Sequence, residues 1–231
     1  MRLPKEISPD SIKDSIVEIR YASKLPFEVL LGIFFQSLDD SYTYTVRQVS
    51  ADRINISNSP LFYNKTIKFE ILPNTIVFNC LDKYIGWDAY HIEIKKVLEQ
   101  LTTTNNIETF NRIGIRYISQ YNNTDLTTIT KFDFKFGLPD VKSDNYSFRS
   151  EFSTSEFRTI LTLVNGFPIV LPNSTEASTI TTIDIDVIKD KISIKEVDEV
   201  LKLIGDAHLY QKTVFFSILK EDFLDTLNPV Y

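Results

Sequence analysis

Within the segment FNRIGIRYIS, residues 110–119, the side chains from Arg112 to Tyr117 alternate with the period of a β-strand. Its even-numbered positions include Arg112, Gly114 and Arg116, while the odd-numbered positions between them are apolar. Successive side chains of a strand point to opposite faces, so both guanidinium groups project from one face, about 7 Å apart. The segment therefore predicts a half-buried strand with two arginines on either side of a glycine.

The surrounding sequence indicates many strands and a few amphipathic helices. Strand-like alternation or β-rich composition occurs at 14–22, 42–57, 65–81, 130–139, 145–153, 156–165 and 178–190. The run at 65–81 is expected to form a hairpin that turns at Pro73 and Asn74. Residues 165–174 contain two prolines and are expected to form a loop or an edge segment. Apolar residues at helical spacing predict a helix at 25–38, whose apolar stripe includes Phe34 and Phe35, and further helices at 86–101 and after Ser193. Ser193 is expected to form a capping box with Glu196. Strands do not alternate strictly with helices, so we predict an α+β fold with mostly antiparallel or mixed sheets and helices packed on one face.

A short internal sequence similarity suggests that the chain is divided into two related parts. IVEIRY at 16–21 and RIGIRY at 112–117 share isoleucine, arginine and tyrosine at matched positions. Two related half-domains, 1–121 and 122–231, would explain this similarity, and we expect them to form one compact unit. Chance similarity between two strand-like hexapeptides is the alternative explanation.

Composition excludes several kinds of site. The chain has 231 residues, a net charge of −6, 6 glycines, 2 histidines and 1 cysteine. One cysteine permits neither an internal disulfide nor a cysteine-based zinc site, and scarce glycine argues against long phosphate-binding loops. No apolar run approaches ~18 residues, and the polar N-terminus has no signal-peptide pattern. We therefore expect a cytoplasmic protein without a membrane span, and we predict no cofactor.

The arginine pair has two possible roles. Guanidinium groups bind phosphate or carboxylate through paired hydrogen bonds, so Arg112, Gly114 and Arg116 form a candidate anion site. Alternatively, the arginines belong to an internal ion-pair network with Glu18 on the first strand or with Asp184 and Asp186 on the TIDID strand. The sequence favours the network but leaves both interpretations open.

Other candidate groups give weaker signals for chemistry. Asp184 and Asp186 share one strand face and offer oxygen ligands for Mg²⁺, although structural pairing is the favoured interpretation. His208 lies on the apolar stripe of the last long helix, where a hydrogen-bonded core histidine is expected. Cys80 lies in an apolar strand-like run and is expected to be an inert thiol. We predict neither a metal site nor catalytic residues, which favours a non-enzymatic protein without excluding an enzyme.

Three segments together resemble a sporadically distributed, functionally uncharacterised family of bacterial and archaeal proteins. They are IVEIRY, with Glu18 and Arg20; the tryptophan-led helix that runs into RIGIRYIS; and TIDIDV followed by a histidine-containing helix. The resemblance implies a shared fold but no activity or cofactor. It marks as pattern positions Trp87, Arg112, Gly114, Arg116, Tyr117, Asp184, Asp186 and His208. The chain is shorter than the family's longer members between residues 122 and 178.

Two functional hypotheses follow. The first is a protein-interaction module that binds a partner or its own copy, with YTYTV (42–46) and FDFKF (132–136) as candidate exposed edges. The resemblance to a patchily distributed family suits an accessory, phage-defence or antitoxin-like context. The second hypothesis is a nucleotide- or nucleic-acid-binding protein in which Arg112 and Arg116 hold a phosphate and Asp184 and Asp186 hold a metal. The acidic net charge makes nucleic acid the less favoured partner.

Overall fold

The structure, a computed structural model, describes residues 2–50, 56–134, 145–170 and 177–231. Its strands are β1 (Ile12–Ser23), β2 (Thr43–Ser50), β3 (Ile56–Tyr63), β4 (Ile67–Leu72), β5 (Thr75–Cys80), β6 (Ile107–Asn122), β7 (Tyr146–Ser153), β8 (Arg158–Val170) and β9 (Ala177–Ile194). Its helices are α1 (Phe27–Ser37), α2 (Trp87–Thr102), α3 (Leu126–Ile129), α4 (Val197–Ile218) and α5 (Glu221–Thr226).

The described strands form one antiparallel sheet in the order β2-β3-β4-β5-β1-β6-β9-β8-β7, with helices packed against it. The α+β prediction is therefore confirmed. Residues 110–119 form the middle of β6, an interior strand of this sheet. Among the described helices, none is both long and apolar enough to cross a membrane.

The chain divides into two compact units. Unit A comprises Asp14–Ile115 and Ile188–Ala207, and unit B comprises Met1–Lys13, Arg116–Val187 and His208–Tyr231. Each unit draws on both halves of the sequence, because β6, β9 and α4 each contribute to both. The expected half-domains at 1–121 and 122–231 remain a prediction.

Unit A contains the serially paired strands β2 to β5, the helices α1 and α2, and the first part of α4. The β4–β5 hairpin pairs Leu72 with Thr75, so the chain turns at residues 73–74 as the proline–asparagine pair predicts. Helix α2 buries one stripe, and the Tyr90 hydroxyl on that stripe donates a hydrogen bond to the carbonyl of Ser15 on β1. This contact joins the apolar side of α2 to the buried face of the strand.

Unit B contains the β7–β8 hairpin and the short helices α3 and α5. Asp125 caps α3, accepting a 2.7 Å hydrogen bond from the backbone N–H of Thr127. The side chain of Asn165 on β8 accepts a hydrogen bond from the N–H of Leu126, which ties α3 to the hairpin. The sequence did not predict α3, because four residues are too few for a periodic pattern.

The expected capping box at Ser193 is wrong. Strand β9 continues to Ile194, and helix α4 begins only at Val197. The Ser193 hydroxyl lies 3.5 Å from that of Thr109, whose hydroxyl also donates to the carbonyl of Ile194. Contacts with β6 thus extend the strand past the local helix-start signal.

Three further expectations differ from the structure. Residues 165–170 belong to β8 rather than to a loop, because Gly166 adopts φ +63° and the strand resumes beyond it. In the described part of the chain, β7 pairs with β8 only as far as Asn165, which agrees with the edge-segment alternative, and residues 171–174 lie outside the described ranges. The described part of 130–139 has no strand beyond an isolated bridge at Thr130, and residues 135–139 lie outside the described ranges. Phe35, expected on the buried stripe of α1, is 53% exposed, whereas Phe34 is fully buried.

Candidate functional site

Arg112 connects the side chains of three neighbouring strands in unit A. Its Nη1 donates to Glu18 Oε1 on β1, and its Nε lies 2.9 Å from Asp190 Oδ1 on β9. Arg20 also donates to Glu18 Oε1, at 2.9 Å. The Arg112 side chain is only 17% exposed, and Gly114, two residues along β6, is buried. Two cations and two anions balance within this cluster.

Arg116 belongs to unit B and has a different partner. Its Nε and Nη2 donate to the two carboxylate oxygens of Asp184 at 2.8 and 2.6 Å, the paired geometry that guanidinium favours. Asp184 is 14% exposed and Arg116 is 44% exposed. The carboxylate is thus largely removed from water, while part of the guanidinium remains accessible.

These contacts bear on the two interpretations of the arginine pair. Each guanidinium already has a carboxylate partner within the protein, so an anion that bound there would compete with Glu18, Asp190 or Asp184. Neither the cluster around Arg112 nor the Arg116–Asp184 pair carries excess positive charge. The arrangement therefore does not support phosphate binding at these arginines. The internal ion-pair interpretation agrees with every arginine contact described above.

The two histidines contact different residues. In unit B, the Tyr117 hydroxyl lies 3.2 Å from His208 Nδ1, within hydrogen-bonding distance. In unit A, His91 Nε2 lies 3.3 Å from the Leu201 carbonyl, and its ring centroid is 5.2 Å from that of Trp87 at the start of α2. These contacts give each ring a structural role in joining a helix to its neighbour.

The remaining candidate groups suggest no reaction. Within the described residues, no group of three or more histidine, cysteine, aspartate or glutamate side chains is arranged to hold a metal ion. Asp184 is engaged by Arg116, and Asp186 also interacts within the protein. Burial raises the pKa of the Cys80 thiol, which disfavours the nucleophilic thiolate.

A row of aromatic side chains crosses unit A and ends at an open sheet edge. Four rings lie directly opposite one another on neighbouring strands: Phe78 on β5, Phe69 on β4, Phe62 on β3 and Tyr44 on β2. Ring centroids are 5.6, 5.2 and 5.2 Å apart along the row. The three phenylalanines are at most 1% exposed, whereas Tyr44 is 40% exposed. Phe35 of α1 packs edge-on against Tyr44 at 5.4 Å.

The strand that carries Tyr44 is an edge of the sheet. In the described part of the chain, β2 pairs only with β3, over Thr43–Ser50 and Ile56–Tyr63. All side chains from Thr43 to Arg47 are exposed. An edge strand presents unpaired backbone groups, and here they lie beside exposed apolar side chains. Of the YTYTV segment that was expected to form an exposed edge, Thr43 to Val46 lie on this edge strand, whereas Tyr42 precedes the strand and is buried.

Sequence reasoning missed two of the residues that define these sites. Asp190 is the second partner of Arg112. The available sequence signal was that Asp184, Asp186 and Asp190 are separated by even numbers of residues on β9, as expected for side chains on one face of a strand. No feature of the sequence predicted the exposure of Phe35, because Phe35 lies on the apolar stripe of α1 together with buried neighbours. Only the packing of α1 on the sheet decides which side of its apolar stripe reaches solvent.

Comparisons with known proteins leave these sites to be interpreted on their own geometry. No protein-family model matches the chain, and a search of curated proteins found no significant relative.

Proposed function

We propose that this protein is a non-enzymatic interaction module that binds a protein strand along the outer edge of β2. The observation that carries the proposal is the aromatic row, which is buried through β5, β4 and β3 and open at Tyr44. Addition of a strand would satisfy the unpaired backbone of β2 and cover the exposed end of the row. An accessory, defence or antitoxin-like role is the biological context we propose for such binding.

The two faces of β2 define the chemistry of the bound strand. Tyr44 and Val46 lie on the side of the aromatic row, and Thr43, Thr45 and Arg47 lie on the other side. An incoming strand is expected to place apolar side chains next to Tyr44 and Val46 and polar ones next to Arg47. Backbone hydrogen bonds supply affinity in such complexes, and alternate side chains supply specificity.

The substitution Val46→Lys tests the proposal, because a lysine on an edge strand opposes pairing with another strand. Val46 is 43% exposed, so the substitution is expected to leave the melting temperature nearly unchanged. The matched control is Ile92→Lys on α2, at a side chain that is 63% exposed. Tagged wild type and both variants are purified from native cells, and the proteins that co-purify with each are quantified. Light scattering at several concentrations then measures the self-association of each purified protein.

We expect wild type and Ile92→Lys to associate with a partner or with themselves, and Val46→Lys to lose that association. Wild-type protein that is monomeric at every concentration and retains no partner would contradict the proposed function. Equal association of wild type and Val46→Lys would contradict the assignment of the binding site to the edge of β2.

A further inference from the structure

We infer that the strand bound at β2 is the β2 strand of a second copy of this chain, paired antiparallel about a two-fold axis at Thr45. This inference rests on the proposed function and specifies its partner. In this register Thr45 faces itself, Tyr44 faces Val46 of the second copy, and Thr43 faces its Arg47.

The residues of β2 are complementary to themselves in this register. An aromatic side chain opposite a β-branched one and threonine opposite threonine are both favourable cross-strand pairs. The pairing uses all five residues from Thr43 to Arg47, whose side chains are exposed in the single chain. The two copies of Arg47 lie four positions apart along the paired strands, so like charges are not opposed directly.

The two edges of the sheet differ in how they discourage pairing. On β7, the opposite edge, Arg149 and Glu151 are both exposed and place charges at alternate positions. Charged side chains are a common protection of edge strands. Between Thr43 and Arg47, β2 has a single charge, and Arg47 is paired with Glu70 of β4 at 2.7 Å. Glu151 of β7 is likewise paired, with Arg158 at 3.1 Å, so the two edges differ in the number of their charges. The edge with the weaker electrostatic protection is therefore the one that exposes Tyr44 and Val46.

Self-pairing would also extend the apolar row. Residues directly opposite each other on antiparallel strands point to the same face. Tyr44 and the second copy's Val46 therefore lie on one face of the joined sheet, with Phe35 of each copy on that same face. The side chain of Tyr44 would gain an apolar neighbour on its open side.

Cysteine crosslinking measures the register directly. Thr43→Cys, Thr45→Cys and Arg47→Cys are each made in a Cys80→Ala background, oxidised mildly, and analysed by non-reducing electrophoresis. Only residue 45 faces its own copy, so Thr45→Cys should form at least ~10-fold more disulfide dimer than the other two single variants, because disulfides require close Cβ atoms. An equal mixture of Thr43→Cys and Arg47→Cys should form the mixed dimer. Light scattering of the unmodified chain should give about twice 26.7 kDa.

The outcomes separate this inference from the proposed function. A monomeric wild type that retains a partner sensitive to Val46→Lys overturns self-pairing and keeps the proposed function. A dimer with equal crosslinking at positions 43, 45 and 47, or with crosslinking only elsewhere, overturns the β2 register. A monomer that retains no partner overturns both. Melting curves of each cysteine variant establish that it is folded before the crosslinks are compared.

Discussion

Removal of the Arg112 guanidinium tests whether the arginine cluster stabilises the fold. The substitution Arg112→Met keeps an apolar stem and removes contacts to Glu18 and Asp190. Loss of one partner of a fully buried ion pair costs ~3–5 kcal/mol. Here Glu18 keeps Arg20 and is 30% exposed, and Asp190 is 40% exposed, so water can solvate both carboxylates. We therefore expect a loss of about 1–3 kcal/mol in the free energy of unfolding.

The assay is urea unfolding monitored by circular dichroism, with Lys95→Met as the control. Lys95 and Glu99 form an exposed pair at 3.6 Å on α2, and loss of such a pair costs less than about 0.5 kcal/mol. Glu18→Gln and the double variant complete a double-mutant cycle that isolates the coupling between Arg112 and Glu18. An Arg112→Met effect no larger than that of Lys95→Met would refute the structural role that we assign to the cluster.

Two further predictions concern single groups. Hydrogen bonds from Thr127 lower the pKa of Asp125, so its contribution to stability is present above about pH 4 and is lost as pH falls through the lowered folded value. The stability difference between wild type and Asp125→Asn, measured by urea unfolding, should therefore shrink from pH 7 to about pH 2, and a constant difference would contradict this linkage. Burial of Cys80 predicts that a thiol reagent at pH 8 labels the native chain at least ~10-fold more slowly than the urea-unfolded chain, and equal rates would contradict burial.

The sequence predicted the elements whose patterns are long and regular. Helix α2 has a complete apolar stripe over four turns, and the β4–β5 hairpin has a proline–asparagine turn between two β-rich runs. These signals are local, because each depends on side chains within a few residues along the chain. Where tertiary contacts compete with local signals, prediction fails. The extension of β9 through Ser193 replaced an apparent helix cap, and Gly166 allowed β8 to continue through an expected loop.

The amino-acid sequence by itself determined that β6 is a strand with two arginines on one face, since a period of two needs no knowledge of distant residues. It also named Glu18 and Asp184 as candidate partners, and both contacts occur in the structure. Only the tertiary structure decided that Asp190 joins Arg112 and that the aromatic row ends at an exposed Tyr44. Strand order and the packing of α1 set these features, because they depend on which distant segments become neighbours in the sheet.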